Sequence, residues 1–199
     1  MTRRASAVAQ TRRRIVDATR ALHTEQGIAT TSWDDIAARA GVGVGTVYRH
    51  FPSLDELIPA CGEISMQIVA LPDPREVPAL FEGMTTPQER LERLVREVFA
   101  IYDRGAPELR AIRHEPDVHP TVVQAAEALE ASLDALVNSA LEPFDVTPAD
   151  RAVVRAMVDL GTWQALREQS LGGAEAVARV SEMLVPRIVT RAAGSPDVV

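Results

Sequence analysis

Apolar residues return at every third or fourth position along this chain, and no stretch of four or more residues alternates apolar with polar as a half-buried strand would. That period commits the chain to helices and predicts an all-α fold. Ile15, Ala18 and Leu22 give one apolar face to a helix over 12–26, with Gly27 as its C-terminal stop. Thr31 and Ser32 offer caps to a second, short helix, Asp34 and Asp35 stand where capping-box carboxylates belong, and Ile36, Ala37 and Ala40 form its buried stripe. Gly41 breaks it. A third helix is expected over Val44–His50, with Val47 and Phe51 on one face, closed by Pro52 and Ser53. Ser53 then caps a fourth, whose expected buried positions are Leu54, Leu57, Ile58 and Cys61.

Pro72, Pro74, Pro78 and Gly83 mark residues 71–87 as a connector with one helical turn at Val77–Phe81. Helices follow over 87–104, where Leu91, Leu94, Val95 and Val98 share a face, and over 107–114. A long one starts at Pro120, another runs over 148–169, and the last over 174–193. Residues 194–199 read as a frayed end.

The net charge of −7 conceals a division. Residues 1–54 hold eight arginines against four acids, a surplus of +4, whereas residues 55–199 sum to −11. A basic module of 1–54 on an acidic body of 55–199 is the expected organisation. All 21 basic residues are arginine, which removes Schiff-base and phosphate-loop chemistry, and there is no Gly-x-Ser-x-Gly elbow. Gly41, Gly43 and Gly45 imitate a dinucleotide turn, but no strand precedes them. No enzyme is expected, and no cofactor. A single cysteine, Cys61, fits a reducing compartment, and no apolar run reaches the roughly 20 residues of a membrane span, so a cytoplasmic protein is expected.

Ala37, Gly41 and Val47 are spaced as a helix-turn-helix requires: a small residue where two helices touch, a turn residue that tolerates positive φ, and an apolar anchor. The same spacing serves a plain packing corner equally well. The residues themselves are more particular. Gly27 through Ala37, then Ala40-Gly41-Val42, then Gly45-Thr46-Val47-Tyr48-Arg49-His50-Phe51-Pro52-Ser53 resemble the TetR family of transcriptional regulators, over roughly residues 11–61. The resemblance implies a homodimer, paired through its last two helices, that binds a pseudo-palindromic operator and is released by a small molecule held in the body. It further implies that Thr31 or Ser32 caps the second helix and meets a phosphate, and that Val44, Gly45 and Thr46 face bases or adjacent phosphates. Tyr48 and His50 would reach the DNA backbone, Arg49 a phosphate or base, and Phe51 would anchor the core.

Three positions depart from the family pattern. Gly43 stands where a hydroxyl commonly caps the recognition helix, Leu54 where lysine is frequent, and His23 where a large apolar residue is usual. Arg3, Arg4 and Arg12 to Arg14 would serve either as a minor-groove arm or as a solvated basic tail. In the body, Met66, Phe99, Tyr102, His114 and Trp163 are the candidate ligand contacts, Trp163 foremost because Gly161 and Thr162 leave space beside it. His114, Glu115, Asp117 and His119 cluster within six residues and have the donors for a divalent metal, but two prolines set them on a loop and no metal site is expected. The competing reading is an all-α ligand-binding or protein-interaction module with a vestigial DNA-binding head.

Overall fold

A computed structural model describes residues 3–192 of the chain. Among these residues nine α-helices and one short 3-10 turn account for the regular structure, with no strand. They are α1 (Arg3–Gln26), α2 (Trp33–Ala40), α3 (Val44–His50), α4 (Leu54–Val69), α5 (Pro87–His114), α6 (Pro120–Leu141), α7 (Pro148–Met157), α8 (Leu160–Glu168) and α9 (Gly173–Ala192). The 3-10 turn, Val77–Phe81, sits in the expected connector. The frayed end expected at 194–199 lies outside the described residues.

Packing divides the chain into two compact units, residues 1–70 with 105–128, and residues 71–104 with 129–199. The core of the first gathers the predicted faces of α1 to α4: Ile15, Leu22, Ile36, Ala37, Val47, Phe51, Leu57 and Cys61 are all nearly inaccessible. Burial of the isoleucine, leucine, valine and phenylalanine side chains among them contributes roughly 1.5–3 kcal/mol each. Leu54 does not join them; it is 47 % exposed. As the first residue of α4 it precedes the face that Leu57, Ile58 and Cys61 define. Gly105 marks a kink in α5 and a close approach to α4. Its φ of −130° departs from helical values inside α5. A Cβ there would lie 2.5 Å from Val69 Cγ2, so only glycine lets the two backbones approach.

In the second unit, Arg90 is buried and its guanidinium donates to the carbonyls of Ala140, Phe81, Met84 and Ser139. A cation here satisfies the last carbonyls of α6 and ties down the connector. The helix expected over 148–169 is interrupted. Asp159 accepts from the Gly161 N–H at 2.8 Å and opens α8, and the carbonyl of Val158 receives the Tyr102 hydroxyl at 3.0 Å. An aspartate that caps a new helix competes with continuation of the old one.

Candidate nucleic-acid interface and ligand cavity

The helix-turn-helix is built from local capping. Ser32 is the residue that caps α2: its Oγ accepts from the Asp35 N–H, and the Asp35 carboxylate accepts in return from the Ser32 N–H and hydroxyl. Thr31, the other candidate, instead donates its hydroxyl to the Gly27 carbonyl at 2.7 Å. Gly41 adopts φ 65°, ψ 41° and ends α2, with the Val42 N–H returning to the Ala37 carbonyl. This left-handed residue turns the chain into α3. Gly43 starts α3 with no side-chain cap, as its lack of a hydroxyl predicts, so Thr46 and Val47 N–H groups close only on its backbone carbonyl.

Val47 and Phe51 are fully buried and fix α3 to α1, where the Arg12 guanidinium lies 4.5 Å from the Phe51 ring. The opposite side of α3 faces outward. Gly45, Tyr48 and Arg49 are exposed, while Val44, Thr46 and His50 are half-buried. Tyr48 stacks on Trp33 at 4.8 Å between ring centroids, and Arg49 donates to the Thr46 hydroxyl at 2.9 Å. Two side chains are thereby held in place before any partner arrives. A Cβ at Gly43 or Gly45 would meet nothing within 4 Å. Only Val44 and Thr46 furnish the leading half of α3 with side chains.

Arg12, Arg13 and Arg14 lie within α1, and Arg13 pairs with Asp17 one turn on at 3.8 Å, so these three do not form an extended arm. The side chains of Arg3 and Arg4 lie outside the described residues.

The first unit also holds a cavity of about 380 Å³. Ile58 and Met66 of α4, Ile112 of α5, and Val122 and Ala125 of α6 supply apolar wall. The polar wall includes an ion pair, Arg20 Nη1 to Glu108 Oε1 at 2.6 Å, whose carboxylate side chain is 5 % exposed. Arg20 Nε–H is buried and has no acceptor among the described residues. His23 and Cys61 add to it, with Nδ1 and Sγ 3.7 Å apart, as do Ser65 and Gln124, and Glu63 also lines it while remaining exposed to solvent. Burial pushes the His23 pKa down to about 4, against the smaller opposing pull of Glu115. Burial likewise pushes the Cys61 thiol up to about 11. At neutral pH both are uncharged. His23, where the resemblance puts a large apolar residue, is thus a buried histidine.

The five residues expected to contact a ligand do not meet in one place. Met66 lines this cavity, and His114 lines a separate polar recess with Arg110 and Glu25. Phe99 lines a recess of the second unit with Arg96 and Val177. Tyr102 is buried in that unit's core with its hydroxyl on the Val158 carbonyl. Trp163 packs edge-on against Tyr102 at 6.0 Å and donates Nε1–H to Asp103, which also receives Arg167. Space beside Gly161 is taken by the Asp159 carboxylate, 3.2 Å from where a Cβ would stand.

The loop cluster is likewise dispersed. Glu115 reaches the α1–α2 turn and accepts from the Ala29 N–H at 2.7 Å, and His119 pairs with Asp55 at 3.1 Å. No group of three metal-ligating side chains occurs among the described residues. Arg20, His23 and Glu108 were not singled out as pocket residues in the sequence; the signal available was a charged or titratable residue adjoining an apolar face. No described helix is long and apolar enough to cross a membrane.

Residues 15–61 match the family model described as bacterial regulatory proteins, tetR family. The transcriptional regulator HbdR of Aromatoleum sp. strain CIB is 32% identical over 96 residues, which span 48% of this chain and 40% of that protein. The transcriptional repressor KstR of Mycobacterium tuberculosis is 29% identical over 152 residues, spanning 75% of this chain and 66% of its own. The chain therefore spans between about two-fifths and two-thirds of these curated relatives. A transcriptional regulator from Rhodococcus sp. Rha1 shares the fold at a TM-score of 0.61 and 20% identity, over 93% of this chain and 99% of that one.

Proposed function

We propose that the chain, whose residues 15–61 match the model of the TetR family of bacterial regulatory proteins, is a cytoplasmic transcriptional regulator of that family, a repressor released from a pseudo-palindromic operator by a small molecule. The observation that carries this reading is the outward face of α3, where Tyr48 and Arg49 are held by Trp33 and Thr46 over a buried Val47–Phe51 anchor. A short helix with that face enters the major groove, about 12 Å wide, at its leading end. Val44, Gly45 and Thr46 then meet base edges by methyl contact and close backbone approach, and Tyr48, Arg49 and His50 meet phosphates. Ser32 and Thr31 sit at the start of α2, where N–H groups and hydroxyls receive a phosphate. Two copies joined through α8 and α9, where Met183 stands 62 % exposed, present two such helices about 34–36 Å apart. The relatives named as regulator and repressor support regulation over catalysis.

Selection from a random DNA pool, followed by binding titrations at several salt concentrations, tests this. A palindromic consensus and a salt slope of several units are expected. Arg49→Ala and Tyr48→Phe should each weaken binding, Arg49→Ala by about tenfold or more, with Tm unchanged. No enriched sequence, or two variants as tight as wild type, would leave the helical ligand-binding module as the better reading.

A further inference from the structure

The cavity of the first unit carries an inference about what fills it. Its volume, about 380 Å³, falls in the range of small-molecule sites, roughly 300–1,000 Å³. Its walls are mainly aliphatic, so an occupant gains chiefly by leaving water. The polar groups then decide the occupant's charge. Arg20 and Glu108 neutralise each other at 2.6 Å, His23 and Cys61 are both uncharged at neutral pH, and the remaining charged lining residue, Glu63, is exposed where solvent screens it. A carboxylate brought into this space would meet Glu108, buried and of like charge, and an ammonium would meet Arg20. One valence remains. Glu108 occupies the Nη1 edge of the guanidinium, while Nε–H is buried with no acceptor among the described residues. A buried donor left in that condition is destabilising, and an occupant's acceptor oxygen would relieve it.

Resting on the effector reading above, we propose that this cavity takes an uncharged, largely apolar molecule whose polar pole is a carbonyl or other neutral acceptor oxygen, received by Arg20 Nε–H. The walls come from α1, which carries the Ile15–Leu22 face of the head core, and from α4, α5 and α6. The ligand therefore touches the helix on which the DNA-reading segment is packed.

The full chain should be titrated by calorimetry, without DNA, with four probes of one shape: phenylcyclohexane bearing a ring ketone, a carboxylate, an ammonium or no polar group. The ketone is expected to bind tightest, by about tenfold or more over the bare hydrocarbon. Arg20→Met should abolish that advantage. Glu108→Gln, which leaves the guanidinium uncompensated, should shift the preference to the carboxylate. Should either variant fail to fold, the wild-type ranking alone decides. Equal binding of ketone and hydrocarbon, preference for either charged probe, or no binding of any probe overturns the proposal. These titrations involve no DNA, so they separate from the operator test. Ketone preference in a chain with no operator would sink the regulatory reading and keep the ligand class, and an operator with no ketone preference would do the reverse.

Discussion

Burial deprives His23 of the hydration its cation needs, which is why its pKa falls from 6.5 to about 4. The unfolded chain therefore binds a proton on His23 between those values that the folded chain refuses. Stability is complete above pH 6.5 and declines as pH falls toward 4, by about 2 kcal/mol between pH 7 and pH 5. Urea melts at those two pH values should show the loss, and His23→Gln should flatten it. Cys61 contributes nothing in this window, because its thiol stays protonated. The residue scale is also where the sequence was read best and worst. The burial of His23 was legible because the residue stands where the resemblance puts a large apolar side chain. Leu54 was misread because helical spacing sets it in line with Leu57, Ile58 and Cys61 but does not say how far packing reaches toward the helix start. Trp163 was expected at a ligand from the small residues beside it, but a neighbouring carboxylate fills that space. Sequence proximity does not report what arrives from another helix.

At the scale of elements, the caps around α2 were legible and the break between α7 and α8 was not. Ser32, Asp35 and Gly41 lie next to the helix they delimit, so local chemistry reveals them. Ser32→Ala should cost about 1 kcal/mol, and Gly41→Ala, forced to a φ of 65°, about 1–2 kcal/mol; thermal denaturation measures both. Asp159 lies inside an otherwise continuous apolar period, and its preference for capping is decided partly by Tyr102, distant in sequence, which takes the Val158 carbonyl. The same distance hid the tie at Glu115. Within the first unit, α5 carries Glu108 and Ile112 on the cavity wall, and Glu115, just past its end, holds the Ala29 N–H in the α1–α2 turn. Glu115→Ala should therefore speed hydrogen exchange at Ala29 by about tenfold or more while shifting Tm by only a few degrees. Unchanged exchange would show that the turn holds itself.

For the whole molecule, charge and packing draw different lines. The charge surplus ends at residue 54, but the core around Ile15 and Val47 extends into α4, and residues 105–128 pack in the same unit. Charge is a running property of sequence, whereas a packing unit is closed by segments far apart along it; only the first is visible in a single chain. On the proposed function, the acidity of residues 55–199 should repel phosphate and confine DNA contact to the basic segment. The sparsely furnished leading half of α3 has a further consequence, best expressed as information. Seven residues of helix extend about 10 Å, enough to lie along about three base pairs, or about 6 bits. To single out one address among about 10⁶ competing sites takes about 20 bits. A second copy doubles the reading and still leaves a shortfall. On the proposed function, the remaining bits would be written in how readily the operator bends and narrows, so its most constrained positions should include base pairs that no side chain touches.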